Sequence, residues 1–251
     1  MKKITAIMIC FFLFIPSFAK RKSKEIRCEA RFNSGIETFN NKKYSRTINL
    51  LSIVKNECGA QLDSPDSLYY LLGNSYMKCK KYEDARTEFR TIIEDYPHSE
   101  FIEDAYYAIA YCSFKSAPII QRDNRLLLRA EREFSSFVSA YPKSELSDSA
   151  RIYLDTISEK LLEKEILNAE YYEITNKYES AVIYYQSIIE DYRQSNRLPE
   201  MQLKLAKNLV AANRLAEALD QIEILERDNL FKNDTESLRK KIISKDKTGV
   251  K

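Results

Sequence analysis

The stretch that decides the fold is DSLYYLLGNSYMKCKKYEDARTEFRTIIEDYP, residues 66–97. Apolar and small residues recur in it at helical spacing, in two blocks on either side of a polar turn at residues 79–81. The small residues Gly73 and Ala85 allow two antiparallel helices to approach closely. Pro97 ends the second helix because its ring removes a backbone donor. The stretch therefore predicts a helical hairpin.

This spacing is typical of the tetratricopeptide repeat, a two-helix unit of about 34 residues. Counted from Asp66, the signature residues fall at the expected places, namely Tyr69, Leu72, Gly73, Tyr76, Ala85, Phe89, Ile92 and Pro97. A single hairpin cannot bury its own apolar face, so neighbouring repeats are required. We predict an all-α fold, a tetratricopeptide-repeat right-handed superhelix of about five helical hairpins, with an insertion in repeat three and one long helix.

Weaker copies of the same pattern cover most of the chain. We assign five repeats to residues 27–62, 66–99, 101–143, 146–193 and 198–229. The third repeat is interrupted by an insertion at Ser116–Arg125. The following region lacks glycine and proline and keeps helical spacing, which predicts one long helix over Leu146–Thr175. In residues 230–251 we expect a helix at Thr235–Ile243 and a mobile charged tail.

The beginning of the chain has the composition of a secretory signal. Lys2 and Lys3 precede a mostly apolar run that ends in small residues, which predicts a signal peptide over residues 1–19 with cleavage after Ala19. Cys10 is followed by apolar residues rather than by a polar linker, so we do not expect it to carry lipid. Residues 20–26 form a basic segment. Removal of Lys2 and Lys3 with the signal peptide lowers the formal net charge from +3 to about +1, which does not indicate a nucleic-acid partner.

Four further cysteines follow the signal segment, and none has the spacing of zinc ligands. Cys28 opens the first predicted helix and Cys58 closes the second, and antiparallel packing brings these two ends together. We predict a disulfide between them, with two buried thiols as the alternative. We expect no cofactor, no metal site and no catalysis, because His98 has no nucleophile partner and no phosphate-binding glycine loop occurs.

Repeats of this kind bind ligands on the concave face, which their first helices line. In the first three repeats these positions form what we call the N-terminal groove, made of Phe32, Ile36, Phe39, Tyr70, Asn74, Met77, Ile102 and Ile109. Exposed apolar surface usually marks a binding site; the alternative is that neighbouring helices cover these side chains. In the fourth repeat, Glu163, Glu170 and Glu173 form a C-terminal acidic groove. Because one groove is apolar and the other is acidic, we predict two different partners.

The residues around the insertion and the long helix indicate one particular family of tetratricopeptide-repeat proteins. They are Ser116-Ala117-Pro118, Arg122-Asp123, Ala130, Phe134, Phe137 and Tyr141-Pro142-Lys143-Ser144, then Tyr171-Tyr172 and Asp191-Tyr192. The arrangement resembles the BamD family, the tetratricopeptide subunits of the outer-membrane β-barrel assembly machine, over about residues 27–229. The resemblance implies a periplasmic adaptor at the inner leaflet of the outer membrane. Its C-terminal repeats would bind a BamA-type barrel protein, and the N-terminal groove would recruit unfolded barrel segments that end in aromatic residues.

This chain departs from that family in one respect. BamD proteins are usually lipoproteins, whereas no convincing lipidation motif surrounds Cys10. The resemblance then implies peripheral membrane association through the barrel protein, helped by the basic N-terminal segment on anionic head groups. Because of this departure, a second family is the alternative. CpoB-like periplasmic proteins also carry such repeats behind a cleaved signal peptide, and they coordinate envelope constriction with cell-wall synthesis.

Overall fold

Eleven α-helices make up the part of the chain that the computed structural model describes, which is residues 27–58, 62–117 and 124–249. They are α1 (27–40), α2 (Tyr44–Cys58), α3 (Pro65–Lys78), α4 (Tyr82–Asp95), α5 (Ile102–Ser116), α6 (Arg125–Ala140), α7 (Glu145–Ile174), α8 (Tyr178–Asp191), α9 (Leu198–Ala211), α10 (Leu215–Arg227) and α11 (Lys232–Gly249). These ranges contain no β-strand, and the predicted all-α class is confirmed. The predicted signal peptide, the basic segment 20–26 and the centre of the insertion lie outside the described residues.

The chain divides into two compact units, the first ending at Ile157 and the second beginning at Ser158. In the first unit, α3 packs between α2 and α4, and α5 packs between α4 and α6. In the second unit, α9 packs between α8 and α10, and α11 contacts both α9 and α10. Each helix therefore packs on its neighbours in sequence, as tetratricopeptide hairpins do. The predicted long helix is confirmed as α7, which contains the boundary between the units.

The turns inside the hairpins are closed by residues in the left-handed region. Their φ angles are 57° at Lys42, 59° at Lys80, 58° at Asn176 and 64° at Asn213. The residue after each of them donates its N–H back into the preceding helix, as when Lys81 donates to the carbonyl oxygen of Tyr76 at 2.9 Å. This bond satisfies a carbonyl that the end of the helix leaves without a partner.

Small residues set the distance between paired helices. A Cβ atom on Gly73 would lie only 2.7 to 2.9 Å from ring carbons of Phe89, whose side chain is completely buried. Gly35 has the same relation to Leu51 in the first hairpin. Ala85 is also completely buried. The close approach that the sequence predicts for α3 and α4 is therefore present.

Each unit has an apolar core that runs through its hairpins. In the first unit, Tyr153 of α7 stacks on Phe134 of α6 with ring centroids 5.2 Å apart, and Tyr107 meets Phe134 edge-on. In the second unit, α7 contributes Leu162, Ile166 and Ala169 to a cluster that extends through α8, α9 and α10 to α11. The long helix thus supplies core residues to both units.

The C-terminal helix is longer than its sequence predicts. Helix α11 continues to Gly249, whereas we expected it to end near Ile243 and to be followed by a mobile tail. Side chains of α11 contact the preceding repeat, and that of Lys245 does so beyond the predicted end. Arg239 binds Glu226 of α10 through two hydrogen bonds of 2.9 and 2.8 Å, and Lys245 Nζ donates to the carbonyl oxygen of Val210 at 2.8 Å.

Candidate functional site

The residues of the N-terminal groove all lie in the first unit, and all are half-buried. Phe32 packs against the core cluster that contains Leu51. Tyr70, Met77 and Ile109 pack against the cluster around Phe89. Neighbouring helices therefore cover part of these side chains, as the alternative interpretation expects, and each of them leaves part of its surface accessible.

Tyr70 is the most firmly held residue of the groove. Its ring stacks on Phe101 with centroids 4.2 Å apart and meets Phe89 edge-on at 6.3 Å. Asn74 Nδ2 donates a hydrogen bond to the Tyr70 carbonyl oxygen at 2.9 Å. Burial raises the pKa of the Tyr70 hydroxyl, and the Asp104 carboxylate raises it further. Tyr70 therefore combines a fixed ring with a hydroxyl that stays protonated at neutral pH.

The first hairpin is tied at both of its ends. The structure joins Cys28 of α1 and Cys58 of α2 in a disulfide, with Cα atoms 5.9 Å apart and both side chains buried. Near the turn, Phe39 meets Tyr44 edge-on at 5.7 Å. These contacts fix the part of the groove that α1 provides, including Phe39.

The predicted acidic groove is largely neutralised by bases of the next repeat. Glu163 pairs with Arg197 at 2.7 Å, and Glu170 pairs with Lys204 at 2.6 Å. Hydrogen bonding to Glu163 raises the pKa of Arg197. Glu173 accepts a hydrogen bond from the Tyr185 hydroxyl at 3.0 Å. The pairs of Glu163 and Glu170 link α7 to the next repeat and balance two of the three negative charges, whereas the partner of Glu173 is a neutral hydroxyl of its own repeat.

Those ion pairs follow a rule that applies along the chain, since polar contacts link residues about one repeat apart. Glu163–Arg197 and Glu170–Lys204 are each separated by 34 residues. In the first unit, Lys55 binds Glu88 at 2.8 Å, and Ser99 Oγ donates to Asp66 at 2.6 Å, each across 33 residues. Polar side chains therefore link each repeat to the next one along the chain.

A buried polar network in the first unit is absent from the sequence-based prediction. Arg86 is 4% exposed and donates to both carboxylate oxygens of Glu133, at 3.1 and 3.0 Å, and to the carbonyl oxygen of Ile109 at 3.2 Å. It also donates to the Ser113 hydroxyl, which in turn donates to Glu133 at 2.5 Å. The network joins α4, α5 and α6. Its signal in the sequence is that Arg86 occupies the buried stripe of α4 beside Ala85 and Phe89.

The described residues contain features of a binding surface. His98 is exposed. No group of three His, Cys, Asp or Glu residues in the described ranges could hold a metal ion. Among the helices described, none is both long enough and apolar enough to cross a membrane. The accessible apolar and aromatic side chains can bind a partner by burial and ring contacts.

The chain is similar to a protein family, to a curated protein and to a solved structure. A family model described as an outer membrane lipoprotein, YfiO, matches residues 25–222. The outer membrane protein assembly factor BamD of Caulobacter vibrioides is 23% identical over 137 residues, which cover 55% of this chain and 45% of that protein. The chain thus spans about half the length of this curated relative. A thermophilic tetratricopeptide-repeat protein of Thermus thermophilus aligns with 15% identity and a TM-score of 0.36, covering 86% of this chain and 99% of that chain.

Proposed function

Because the chain belongs to the YfiO family of outer membrane lipoproteins, we propose that it is a non-catalytic adaptor in the assembly of outer-membrane β-barrel proteins. The observation that carries the proposal is the family match over residues 25–222, which includes helical hairpins of both units. The similarity to an assembly factor of Caulobacter vibrioides supports the same role. The chain would act from the periplasm at the inner leaflet of the outer membrane.

In this proposal the N-terminal groove receives unfolded barrel segments. Phe39 and Tyr70 are half-buried and held by other rings, so binding a ligand costs little side-chain ordering. An aromatic residue at the end of an unfolded segment could bury its remaining surface against them. Full burial of one such side chain stabilises a complex by roughly 1.5–3 kcal/mol. Recruitment through one or two such contacts would be weak and reversible, which suits the transfer of a substrate.

The second unit would bind the BamA-type barrel protein. Since Glu163 and Glu170 are already paired, we propose that the contact uses apolar residues instead of the acidic groove. Large apolar side chains remain accessible around the turn between α7 and α8: Tyr171 is 60% exposed, Ile174 is 80% exposed and Ile183 is 64% exposed. Apolar side chains with such exposure are candidates for an interface with another protein.

Peptide binding tests the role of the groove. Phe39→Glu combined with Ile36→Glu should weaken the binding of a peptide with an aromatic C-terminus by about tenfold or more, because each change opposes apolar burial. Tyr70→Glu is less informative because it would remove two ring contacts, with Phe101 and with the buried Phe89, where Phe39→Glu removes one. Fluorescence anisotropy measures the affinity, and circular dichroism checks that helicity is native.

The matched control places the same charges on the same unit outside the groove. Ile53 and Tyr106 are both 41% exposed, and Ile53→Glu with Tyr106→Glu should leave the affinity unchanged. An unchanged affinity in the groove variant would remove the groove from the mechanism.

Affinity capture from envelope extracts tests the barrel partner. The wild-type chain should recover a BamA-type protein, and Ile174→Glu with Ile183→Glu should reduce that recovery. Ile243→Glu serves as the control, since Ile243 is 54% exposed on α11. Recovery of cell-wall or division proteins alone would instead favour the CpoB-like function.

A further inference from the structure

The hairpin turns of the first two repeats carry exposed cations to which the proposed function assigns no role. Both turns have the sequence Lys-Lys-Tyr, at residues 42–44 and 80–82. We call the exposed cations at these turns the lysine edge, made of Lys42, Lys43, Arg46, Lys78, Lys80 and Lys81. Within the described residues none of the six forms an ion pair.

The two turns lie beside each other. Ser45 Oγ is 3.7 Å from Cys79 Sγ, a contact that spans 34 residues and joins the residue after the first Lys-Lys-Tyr sequence to the residue before the second. The exposed acids beside these turns are Glu37, Glu83 and Asp84. They leave the lysine edge with an excess of positive charge along one side of the first unit.

Lysine is an unusual choice at two of these positions. Lys42 and Lys80 have φ angles of 57° and 59°, in the left-handed region, which brings the Cβ atom of an L-residue close to a carbonyl oxygen. The equivalent turns of the second unit hold Asn176 and Asn213, and asparagine tolerates this region better than lysine does. The first unit therefore places charge at the tips of its turns at the expense of backbone stability.

We propose that the lysine edge docks on an anionic phospholipid surface. Ammonium groups on long flexible stems, without a buried polar anchor, suit a plane of phosphate head groups better than a single small ligand. Half-buried Tyr44 and Tyr82 follow the lysines directly, and tyrosine is enriched where proteins meet the membrane interface. The inference rests on the envelope location in the proposed function, and it adds a membrane contact made by the folded repeats themselves.

The experiment compares vesicle binding by the full chain and by one variant. Lys42→Asn, Lys43→Gln, Lys80→Asn and Lys81→Gln remove four charges, and asparagine suits the two left-handed positions, so the fold should be kept. One cation near an anionic surface strengthens binding by about fivefold. The variant should therefore bind vesicles of phosphatidylglycerol and phosphatidylcholine at least about tenfold more weakly than the wild type. On vesicles of phosphatidylcholine alone the two should bind equally, and any lipid anchor would affect both proteins alike.

A control variant removes four exposed lysines elsewhere, by changing Lys143, Lys232, Lys240 and Lys241 to Gln. It should bind anionic vesicles like the wild type. The proposal is overturned if the lysine-edge variant binds them as tightly as the wild type, or if the control loses as much affinity. It is also overturned if the wild-type chain binds single-stranded DNA but not the vesicles. Recovery of the BamA-type protein is measured without vesicles, so the two proposals fail separately.

Discussion

Removing both members of the Arg86–Glu133 pair should destabilise the first unit less than the sum of the two separate removals. The Arg86 side chain is 5% exposed and that of Glu133 is 24% exposed. In Glu133→Gln the buried guanidinium loses its two-bond counter-charge and keeps the exposed Glu83 carboxylate at 3.9 Å and neutral partners, including the Ile109 carbonyl oxygen at 3.2 Å. In Arg86→Met the remaining carboxylate can still reach water.

These differences set the expected magnitudes. Breaking a buried ion pair from one side costs about 3–5 kcal/mol. Because Glu133 is partly exposed and the Ile109 carbonyl remains, we expect about 2–3 kcal/mol for Glu133→Gln. For Arg86→Met we expect about 1–2 kcal/mol. The double variant should be less destabilised than the two effects combined, with a coupling energy of about 1–2 kcal/mol.

The assay is urea unfolding of the four chains of this double-mutant cycle, followed by circular dichroism, with hydrogen exchange of α4, α5 and α6 to locate the loss. The exposed pair Arg151–Asp148, at 3.0 Å, supplies the control cycle. Its coupling energy should stay below about 0.5 kcal/mol. Additive effects of Arg86→Met and Glu133→Gln would refute the reasoning, since additivity would mean that the pair contributes no mutual stabilisation.

Three further predictions concern packing and cysteine chemistry. Gly73→Ala should lower the free energy of unfolding by about 1–2 kcal/mol, because overpacking against Phe89 outweighs the gain in helix propensity. Adding Phe89→Leu to the Gly73→Ala chain should restore part of the lost stability. Urea unfolding measures both variants, and a Gly73→Ala chain more stable than the wild type would contradict the prediction. Reduction of the Cys28–Cys58 disulfide should lower the free energy of unfolding by about 3–4 kcal/mol, whereas mapping that finds a free Cys28 thiol in the unreduced protein would exclude the bond. Burial raises the pKa of Cys112 to about 12 from 9.0, so iodoacetamide should label this thiol only after unfolding. Since the folded chain holds this proton more tightly, the contribution of Cys112 to stability should be complete below about pH 9 and lost towards pH 12.

Local spacing made the hairpins and the long helix predictable. Gly73 and Ala85 mark helix faces that must approach, and the uninterrupted region after Pro142 leaves no place for helix α7 to end before Ile174. These signals come from residues only a few positions apart. They specify elements and their order along the chain.

Contacts between distant residues were harder to predict. The pairing of Glu163 with Arg197 neutralises a groove that appears acidic when the glutamates are considered alone. Polar contacts in this chain join residues about one repeat apart, and Arg197 lies 34 residues after Glu163, so this spacing would have indicated the pair. Arg86 and Glu133 are 47 residues apart because the insertion lies between them, so no regular spacing leads from one to the other. Lys245, near the end of α11, donates to the carbonyl oxygen of Val210, which lies 35 residues earlier.

The polar contacts between neighbouring repeats have a consequence for the order in which the chain folds. Lys55 needs only the next 33 residues to find Glu88, and Glu170 needs only the next 34 to find Lys204. Loops this short close quickly, and folds made of such contacts reach the native state faster than folds that join distant ends. As the chain is synthesised, each hairpin can be completed by the one that follows it. Among these contacts, the one between Arg86 and Glu133 forms after the longest interval, because Glu133 is synthesised only after the insertion.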